Sequence, residues 1–187
     1  MFSDLMNRAR SYRRFDARRR LSEAAVVSLI DNARLSASAG NLQRIRYAVI
    51  TGEDACREIR KNIAFAAYLK DWDGPSEEEN PTAYIVIMTT KVDNTVLIDI
   101  GIAAQTIILS ATDKGYGGCM FGSFNRDEIS RIAACEGYEP RLVIALGYPA
   151  ETSLVIDGAP DDIKYYRKDN VHYVPKLTTD TLIVTKK

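Results

Sequence analysis

The chain has 187 residues, 46% of them apolar and 27% charged, which are ordinary values for a globular protein that buries a hydrophobic core. Its 25 basic and 25 acidic residues balance, so the net charge gives no reason to expect nucleic acid or an anionic membrane as a partner. Three widely spaced cysteines and one histidine argue against a zinc site and favour a reducing, cytoplasmic location. The N-terminus lacks the apolar core of a signal peptide, and no uninterrupted apolar run reaches the roughly 18 residues of a membrane span.

The first part of the chain is rich in arginine, with seven arginines and two aspartates in the first twenty residues. "SDLMNRAR" predicts a short helix, and residues 11–20 carry too much charge to belong to the core. Ser22 is a favourable N-cap, and apolar residues follow at i, i+3, i+4 and i+7 from Val26. This spacing predicts a helix that ends near Ser36.

The middle of the chain alternates between strand and helix patterns. Residues 45–51 predict a strand and residues 53–65 a helix, followed by the polar loop "LKDWDGPSEEENP" with the only tryptophan, Trp72. Residues 83–90 are continuously apolar and predict a buried strand. Residues 96–112 predict a helix that is apolar on nearly every face, which requires burial at the centre of the domain or against a second subunit.

The last part of the chain begins with a glycine-rich stretch, residues 115–124, which predicts a loop with a short strand. Asn125 is a favourable N-cap for a helix that reaches Cys135, with Glu128 at the capping-box position. "RLVIALGYP" predicts a strand that enters a turn, and residues 157–187 predict turns and short elements. Because helices and strands alternate without a strict βαβ order, we expect either an α+β fold or a mixed α/β sheet.

The arginine-rich segment has three interpretations: a solvated surface, an arm that binds nucleic acid, or a phosphate clamp. Surface charge is the commonest role of such a run. The pattern "RSYRRF" favours the clamp, because Arg10 and Arg13 lie three residues apart with a hydroxyl between them and suit one phosphate dianion.

Two further stretches suit a flat ligand without requiring one. In "SASAGNLQ", residues 36–43, Asn41 and Gln43 each offer a donor and an acceptor, which suits the edge of a uracil-like ring and equally suits a helix end and a turn. The glycines of residues 115–124 allow a ring to approach the backbone, or only tighten a loop.

The chain carries no motif for catalysis by its own groups. It lacks G-x-S-x-G, phosphate-loop and dinucleotide fingerprints, paired carboxylates and a cysteine with a credible histidine partner, and we interpret His172 as structural. An enzyme without its own acid, base or nucleophile takes its chemistry from a cofactor. The features above suit a flat, phosphorylated cofactor that forms hydrogen bonds.

Five motifs, in chain order from Arg10 to Lys176, resemble the FMN-dependent nitroreductase superfamily. "RSYRRF" resembles its N-terminal R-R-S-x-R-x-F, and "SASAGNLQ" resembles its P-S-a-G-N-x-Q-P-W. "DIGIAAQTIILSATDKGYGGCMFGSF" resembles its central helix and the following loop, and "VIALGYP" resembles the strand after them. "IKYYRKDNVHYVPK" resembles the tail of its small members.

The resemblance implies one nitroreductase-like α+β domain over residues 1–187, with a mixed, mostly antiparallel sheet of four or five strands flanked by helices. It implies a homodimer, with the long central helix buried at the interface and FMN bound there by both chains. NADH or NADPH would donate a hydride to the flavin and leave, and a nitroaromatic, a quinone or another flavin would then be reduced in a ping-pong cycle. Two alternatives remain within the fold: an FMN storage or sensor protein without significant turnover, and a relative that dehalogenates its substrate or fragments the flavin.

By position, the resemblance assigns the phosphate and ribityl end of FMN to Arg10, Ser11, Arg13 and Lys176. It assigns the ring system to Ser38, Asn41 and Gln43, contributed by the partner subunit, and to Gly122 and Ser123, where a backbone N–H faces the flavin nitrogen that accepts the hydride. It assigns no catalytic side chain and no metal ligand.

This sequence also departs from the family pattern. Ala9 stands where the family often has its first arginine, so the clamp is one charge short unless Arg8 or Arg14 substitutes. The family's Pro-Trp pair after N-x-Q is replaced by Arg44 and Ile45. The tail motif "VPKR" of the small members is "VPKL" here, with Leu177 in place of the arginine. These departures concern FMN affinity more than fold.

Two single residues have open roles. Trp72 is either a gate over the flavin face or a residue that pins its loop to the surface, which is the commoner role of such a residue. Cys119, in the glycine-rich stretch, is expected to be a small buried apolar residue without redox function.

Overall fold

The computed structural model describes all 187 residues. Its helices are α1 (Phe2–Arg8), α2 (Glu23–Ala33), α3 (Glu53–Lys61), α4 (Asn94–Asp113), α5 (Arg126–Ile132) and α6 (Thr179–Leu182). Its strands are β1 (Ile45–Ile50), β2 (Ala83–Thr89), β3 (Gly117–Phe121), β4 (Glu139–Gly147), β5 (Thr152–Gly158), β6 (Tyr166–Lys168) and β7 (Val171–Leu177). Short 3₁₀ turns cover Ala39–Asn41 and Glu77–Glu79.

The central sheet has four antiparallel strands in the order β1-β2-β4-β3, which confirms the predicted α+β fold. Every residue of β2 is buried, because this strand lies between two others and both of its faces are covered. Side chains alternate along it: Ile85 and Ile87 face a core formed with α2 and α4, whereas Tyr84 and Val86 face a second core formed with α3 and α5.

The predicted helix starts are confirmed by their caps. The side chain of Ser22 accepts a hydrogen bond from the N–H of Ala25, and the side chain of Asn125 accepts one from the N–H of Glu128. The third predicted helix, in contrast, ends at Lys61 rather than at residue 65, because Ile63 leaves the helix to form a β-bridge with Phe124.

Helix α4 is only half buried within the chain, which excludes the first of its two predicted alternatives, burial at the centre of the domain. One face packs on the sheet, while Leu97, Ile98 and Ile102 are 44%, 62% and 38% exposed on the other. By length and a mean hydropathy of 1.6 it would suffice to cross a membrane, although no uninterrupted apolar run is that long. Its buried face identifies it as a core helix with an uncovered apolar side.

The tail is more regular than the sequence predicts. Strands β5, β7 and β6 form a second sheet in that order, with β5 parallel to β7 and β6 antiparallel to it. These strands span only three to seven residues and show no alternation of polar and apolar side chains, so the sequence offers no pattern that separates them from turns.

Candidate functional site

A cavity of about 330 Å³ lies between the N-terminal segment, α4, β3 and the second sheet. It brings together four of the nine residues predicted to bind the cofactor, namely Arg10, Ser11, Arg13 and Lys176. The structure adds residues that the sequence did not single out as ligand contacts, among them Gln105, Met120, Tyr165 and His172.

Close packing holds the arginine-rich segment against β3. Ser11 forms a parallel bridge with Gly118, and the N–H of Tyr12 donates to the carbonyl of Gly118 at 3.0 Å. A Cβ atom on Gly117 would lie 2.8 Å from the Tyr12 ring, and one on Gly118 would lie 2.5 Å from Ile108 of α4. The two glycines are therefore what allows the segment and the helix to approach β3 closely enough to form the cavity.

The cavity wall carries positive charge that no carboxylate of the chain neutralises. Arg10, Arg13 and Lys176 form no ion pair. The guanidinium of Arg10 donates to the carbonyl of Met6 at 2.7 Å, its Nε has no partner, and burial lowers its pKa. Arg13 is 9% exposed and donates to the carbonyl of Ser11 at 3.2 Å. The two desolvated guanidiniums, together with the exposed ammonium of Lys176, fit the oxygens of a phosphate group.

Neither of the arginines considered as substitutes for Ala9 lines this cavity. Arg8 reaches the carbonyl of Thr112, and Arg14 lies 3.5 Å from the carboxylate of Glu79 and 5.8 Å from the ring of Trp72. The cationic set is therefore two arginines and one lysine.

The buried carboxylate of Glu151 fixes the backbone of the clamp. Its side chain is 2% exposed, accepts hydrogen bonds from the N–H groups of Arg13 and Arg14, and pairs with Arg167 at 2.8 Å. The charge of Glu151 is thus engaged by Arg167 and two amides and not by the guanidinium of Arg13, which lines the cavity.

The turn with Ser38, Asn41 and Gln43 does not reach this cavity in the same chain. Ser38 and Gln43 border a separate cavity of about 140 Å³. Asn41 and Gln43 adopt left-handed backbone angles, with φ of 53° and 47°. The buried carboxylate of Asp99 on α4 holds this strained turn by accepting the N–H of Ala39 at 2.9 Å.

Gly122 and Ser123 follow β3 directly and are exposed. A Cβ atom on Gly122 would meet nothing within 4 Å, so open space lies on that side of the backbone. The strand rises by about 13 Å over the four residues from Gly118 to Gly122. An elongated ligand whose anionic end lies beside Gly118 can therefore extend along the backbone of β3 as far as Gly122.

The structure also bears on the two residues with open roles. Trp72 packs edge-on against Phe65 at 6.1 Å and under the guanidinium of Arg167 at 4.7 Å, contacts that favour a pin over a gate. Cys119 is 4% exposed in the core, and burial raises the pKa of its thiol to about 11. A thiol that stays protonated is unreactive, in line with a packing role.

One missed residue follows from the predicted Lys176 only after the structure defines β7, a strand that the sequence did not predict. His172 and Lys176 both lie on β7, and residues two apart on a strand share a face, so the assignment of Lys176 to the cavity also brings in Val174 and His172. Glu151 and Tyr165 have no such relation to a predicted residue.

The α+β fold and the cavity with unneutralised cations fit the class of proteins that bind a ligand with an anionic group. The chain belongs to the nitroreductase family, whose sequence model matches residues 6–148. This membership makes it an NAD(P)H-dependent flavin oxidoreductase with FMN as its cofactor.

Individual relatives agree with the family assignment. YodC of Bacillus subtilis, provisionally named an NAD(P)H nitroreductase, is 23% identical and the match covers 77% of this chain and 87% of that protein. A protein of Staphylococcus epidermidis, provisionally named an NAD(P)H:FMN oxidoreductase, shares the fold with a TM-score of 0.73 at 16% identity over 100% and 96% of the two chains. The FMN-dependent nitroreductase NfnB of Mycobacterium smegmatis, solved with NADPH, gives a TM-score of 0.64 at 16% identity over 80% and 87%.

Proposed function

We propose that this chain, as one domain over residues 1–187, uses NADH or NADPH to reduce small oxidised acceptors of the nitroaromatic, quinone or flavin type. The observation that carries the proposal is the cavity where Arg10, Arg13 and Lys176 meet without a carboxylate partner. Because the cofactor of this family is FMN, we assign the binding site of the cofactor phosphate to this cavity.

The residues of the chain bind and orient, and the cofactor supplies the reaction. Arg10, Ser11, Arg13 and Lys176 hold the phosphate and ribityl end, and the backbone at Gly122 and Ser123 lies beside the ring. FMN held by these residues would supply the hydride chemistry that links oxidation of the nicotinamide to reduction of the acceptor in a ping-pong cycle. Cationic side chains and fixed N–H dipoles stabilise the negative charge that accompanies reduction.

The proposal includes a homodimer in which a second copy completes the site. Two observations support it: α4 exposes Leu97, Ile98 and Ile102 on one face, and the turn with Ser38 and Asn41 lies outside the phosphate cavity of its own chain. Pairing of two α4 faces covers the apolar side and brings the turn of one copy, anchored to α4 through Asp99, toward the other copy's cofactor.

The experiment that tests the proposal is the visible absorption spectrum of the purified protein, before and after anaerobic addition of NADH or NADPH. Flavin bands that bleach with a nicotinamide establish the oxidoreductase. Bands that persist favour the alternative, an FMN storage or sensor protein of the same fold. A colourless protein that takes up no added FMN contradicts both. A cytoplasmic location stays a prediction.

A further inference from the structure

The chain's only histidine lies directly behind the phosphate clamp. His172 is 1% exposed, and its Nε2 atom lies 3.0 Å from Nη1 of Arg13. The ring of Tyr165 covers both groups, with its centroid 4.5 Å from the guanidinium carbon and 5.2 Å from the imidazole centroid. Arg13 is thus enclosed on its inner side and meets the cavity on the other.

Elementary hydrogen-bond chemistry fixes the state of this imidazole. A guanidinium has only donors and does not lose its proton in proteins, so Nε2 of His172 must accept the hydrogen bond from Arg13. The ring is therefore neutral and carries its single proton on Nδ1. That Nδ1 atom is buried and has no partner within the chain.

Burial is the main reason that the imidazole stays neutral, and the two nearby arginines reinforce it against the opposing charge of Glu151. Three charged groups face His172 from other elements: Arg13 from the N-terminal segment, Arg167 from β6, and Glu151 just before β5. Glu151 is already paired with Arg167. Burial, and then the charge of Arg13, lower the pKa of His172 to about 4.

We propose that His172 is a positioning residue, a neutral acceptor that holds the guanidinium of Arg13 at the cavity wall in the orientation that receives the cofactor phosphate. Protonation of the ring, or loss of its acceptor nitrogen, releases Arg13 and weakens phosphate binding. The identity of the anion rests on the function proposed above, whereas the hydrogen bond and the tautomer do not.

The first test needs no cofactor. Because the chain has one histidine, a two-dimensional ¹H–¹⁵N spectrum of protein labelled with ¹⁵N-histidine reports His172 without assignment. We expect the Nδ1–H tautomer at pH 7 and a titration midpoint well below 6.5. An Nε2–H tautomer, or a midpoint near 6.5, overturns the proposal.

A reciprocal variant tests whether Arg13 is the coupled partner. Arg13→Met removes the donor and the charge, so the midpoint of His172 should rise, with burial alone still holding it below 6.5. Arg14→Met is the matched control, because Arg14 pairs with Glu79 and lies outside the cavity, and it should leave the midpoint unchanged. An equal midpoint in wild type and Arg13→Met contradicts the coupling.

The second test measures affinity for two flavins by fluorescence quenching. His172→Gln keeps a neutral acceptor and should retain FMN affinity within about twofold, whereas His172→Leu should lose about tenfold. Neither variant should change the affinity for riboflavin, which lacks the phosphate. Equal FMN affinity in His172→Leu and wild type, or an equal loss for riboflavin, overturns the positioning role. Circular dichroism confirms folding of each variant.

The pH profile separates positioning from packing. FMN phosphate itself titrates near pH 6, so the informative quantity is the ratio of wild-type to His172→Gln affinity at each pH. This ratio should be constant above pH 6 and fall toward pH 4 as the wild-type imidazole gains its proton. A ratio independent of pH contradicts the proposal. If the wild type binds no FMN at all, the proposed function fails, while the tautomer and the coupling are still decided by the spectra.

Discussion

The carboxylate of Glu151 accepts the backbone N–H of Arg13, a residue 138 positions away in the chain, and so ties the start of the arginine-rich segment to the second sheet. The same carboxylate pairs with Arg167 at 2.8 Å. One buried acid thus fixes the backbone of the clamp without forming an ion pair with the guanidinium of Arg13.

Glu151→Ala is expected to lower the free energy of unfolding by about 3 kcal/mol or more, because it leaves Arg167 without its partner and two amides without an acceptor. Urea denaturation followed by circular dichroism measures the effect. Glu53→Ala serves as the control, since its pair with Arg57 is exposed and should contribute less than about 1 kcal/mol. Equal losses in both variants contradict the structural role of Glu151.

Arg13→Ala is expected to weaken FMN binding by about 1.5–3 kcal/mol, the usual contribution of a hydrogen bond that involves charge. Fluorescence titration with FMN measures the loss, and riboflavin, without a phosphate, should bind the variant as it binds the wild type. Arg14→Ala is the neighbouring control that does not line the cavity and should bind FMN nearly normally. Wild-type FMN affinity in Arg13→Ala would remove this residue from the phosphate site.

Two glycines close in sequence should respond differently to the same substitution. Gly118→Ala is expected to cost about 1–3 kcal/mol of stability, because its Cβ would lie 2.5 Å from Ile108 and force the core apart. Gly122→Ala should leave stability within about 0.5 kcal/mol, since nothing lies within 4 Å. If Gly122 lies beside the flavin ring, its variant changes the flavin spectrum or affinity without changing stability. Thermal unfolding and the visible spectrum together test both statements.

Ile98→Glu is expected to dissociate the proposed dimer, because it places a charge in the middle of the exposed apolar face of α4. Analytical ultracentrifugation should show a dimeric wild type and a monomeric variant, with loss of FMN in the monomer. Val27→Glu, at an exposed apolar position on α2, is the control for a surface charge. A wild type that is monomeric at all concentrations contradicts the dimer.

The free energy of unfolding should decrease in mild acid because His172 gains a proton more readily in the unfolded chain. Its folded-state pKa, about 4, lies below the ordinary value of 6.5, so the unfolded chain binds more protons between these two values. The contribution of the neutral imidazole to the free energy of unfolding is fully present above pH 6.5 and is lost as the pH falls toward 4. Over this range the unfolded chain binds at most one proton more than the folded chain. His172→Gln should lack this component, which denaturation at a series of pH values reveals as a difference between the two curves. Parallel curves would show that His172 does not titrate as expected.

Much of the fold follows from local patterns. The caps at Ser22 and Asn125 set helix starts because a side-chain oxygen satisfies an end N–H wherever the helix lies. The apolar run of β2 required burial on both faces, and the sheet order placed it between two strands. Arg10 and Arg13 were expected to share a site because they lie three residues apart, and both line the cavity.

Tertiary structure alone decided the rest. The cavity draws Arg13, Gln105 and Lys176 from three elements, and no local rule states how far α4 lies from β3. The partner of a buried group, such as Glu151 for the amide of Arg13, depends on which surfaces meet after folding. The apolar composition of α4 required that all its faces be covered, but only the packed chain shows that the face with Ile98 is the one left exposed. Sequence periodicity predicts which side chains are buried, because apolar side chains must be removed from water. The packing of distant elements determines which residues those buried side chains contact.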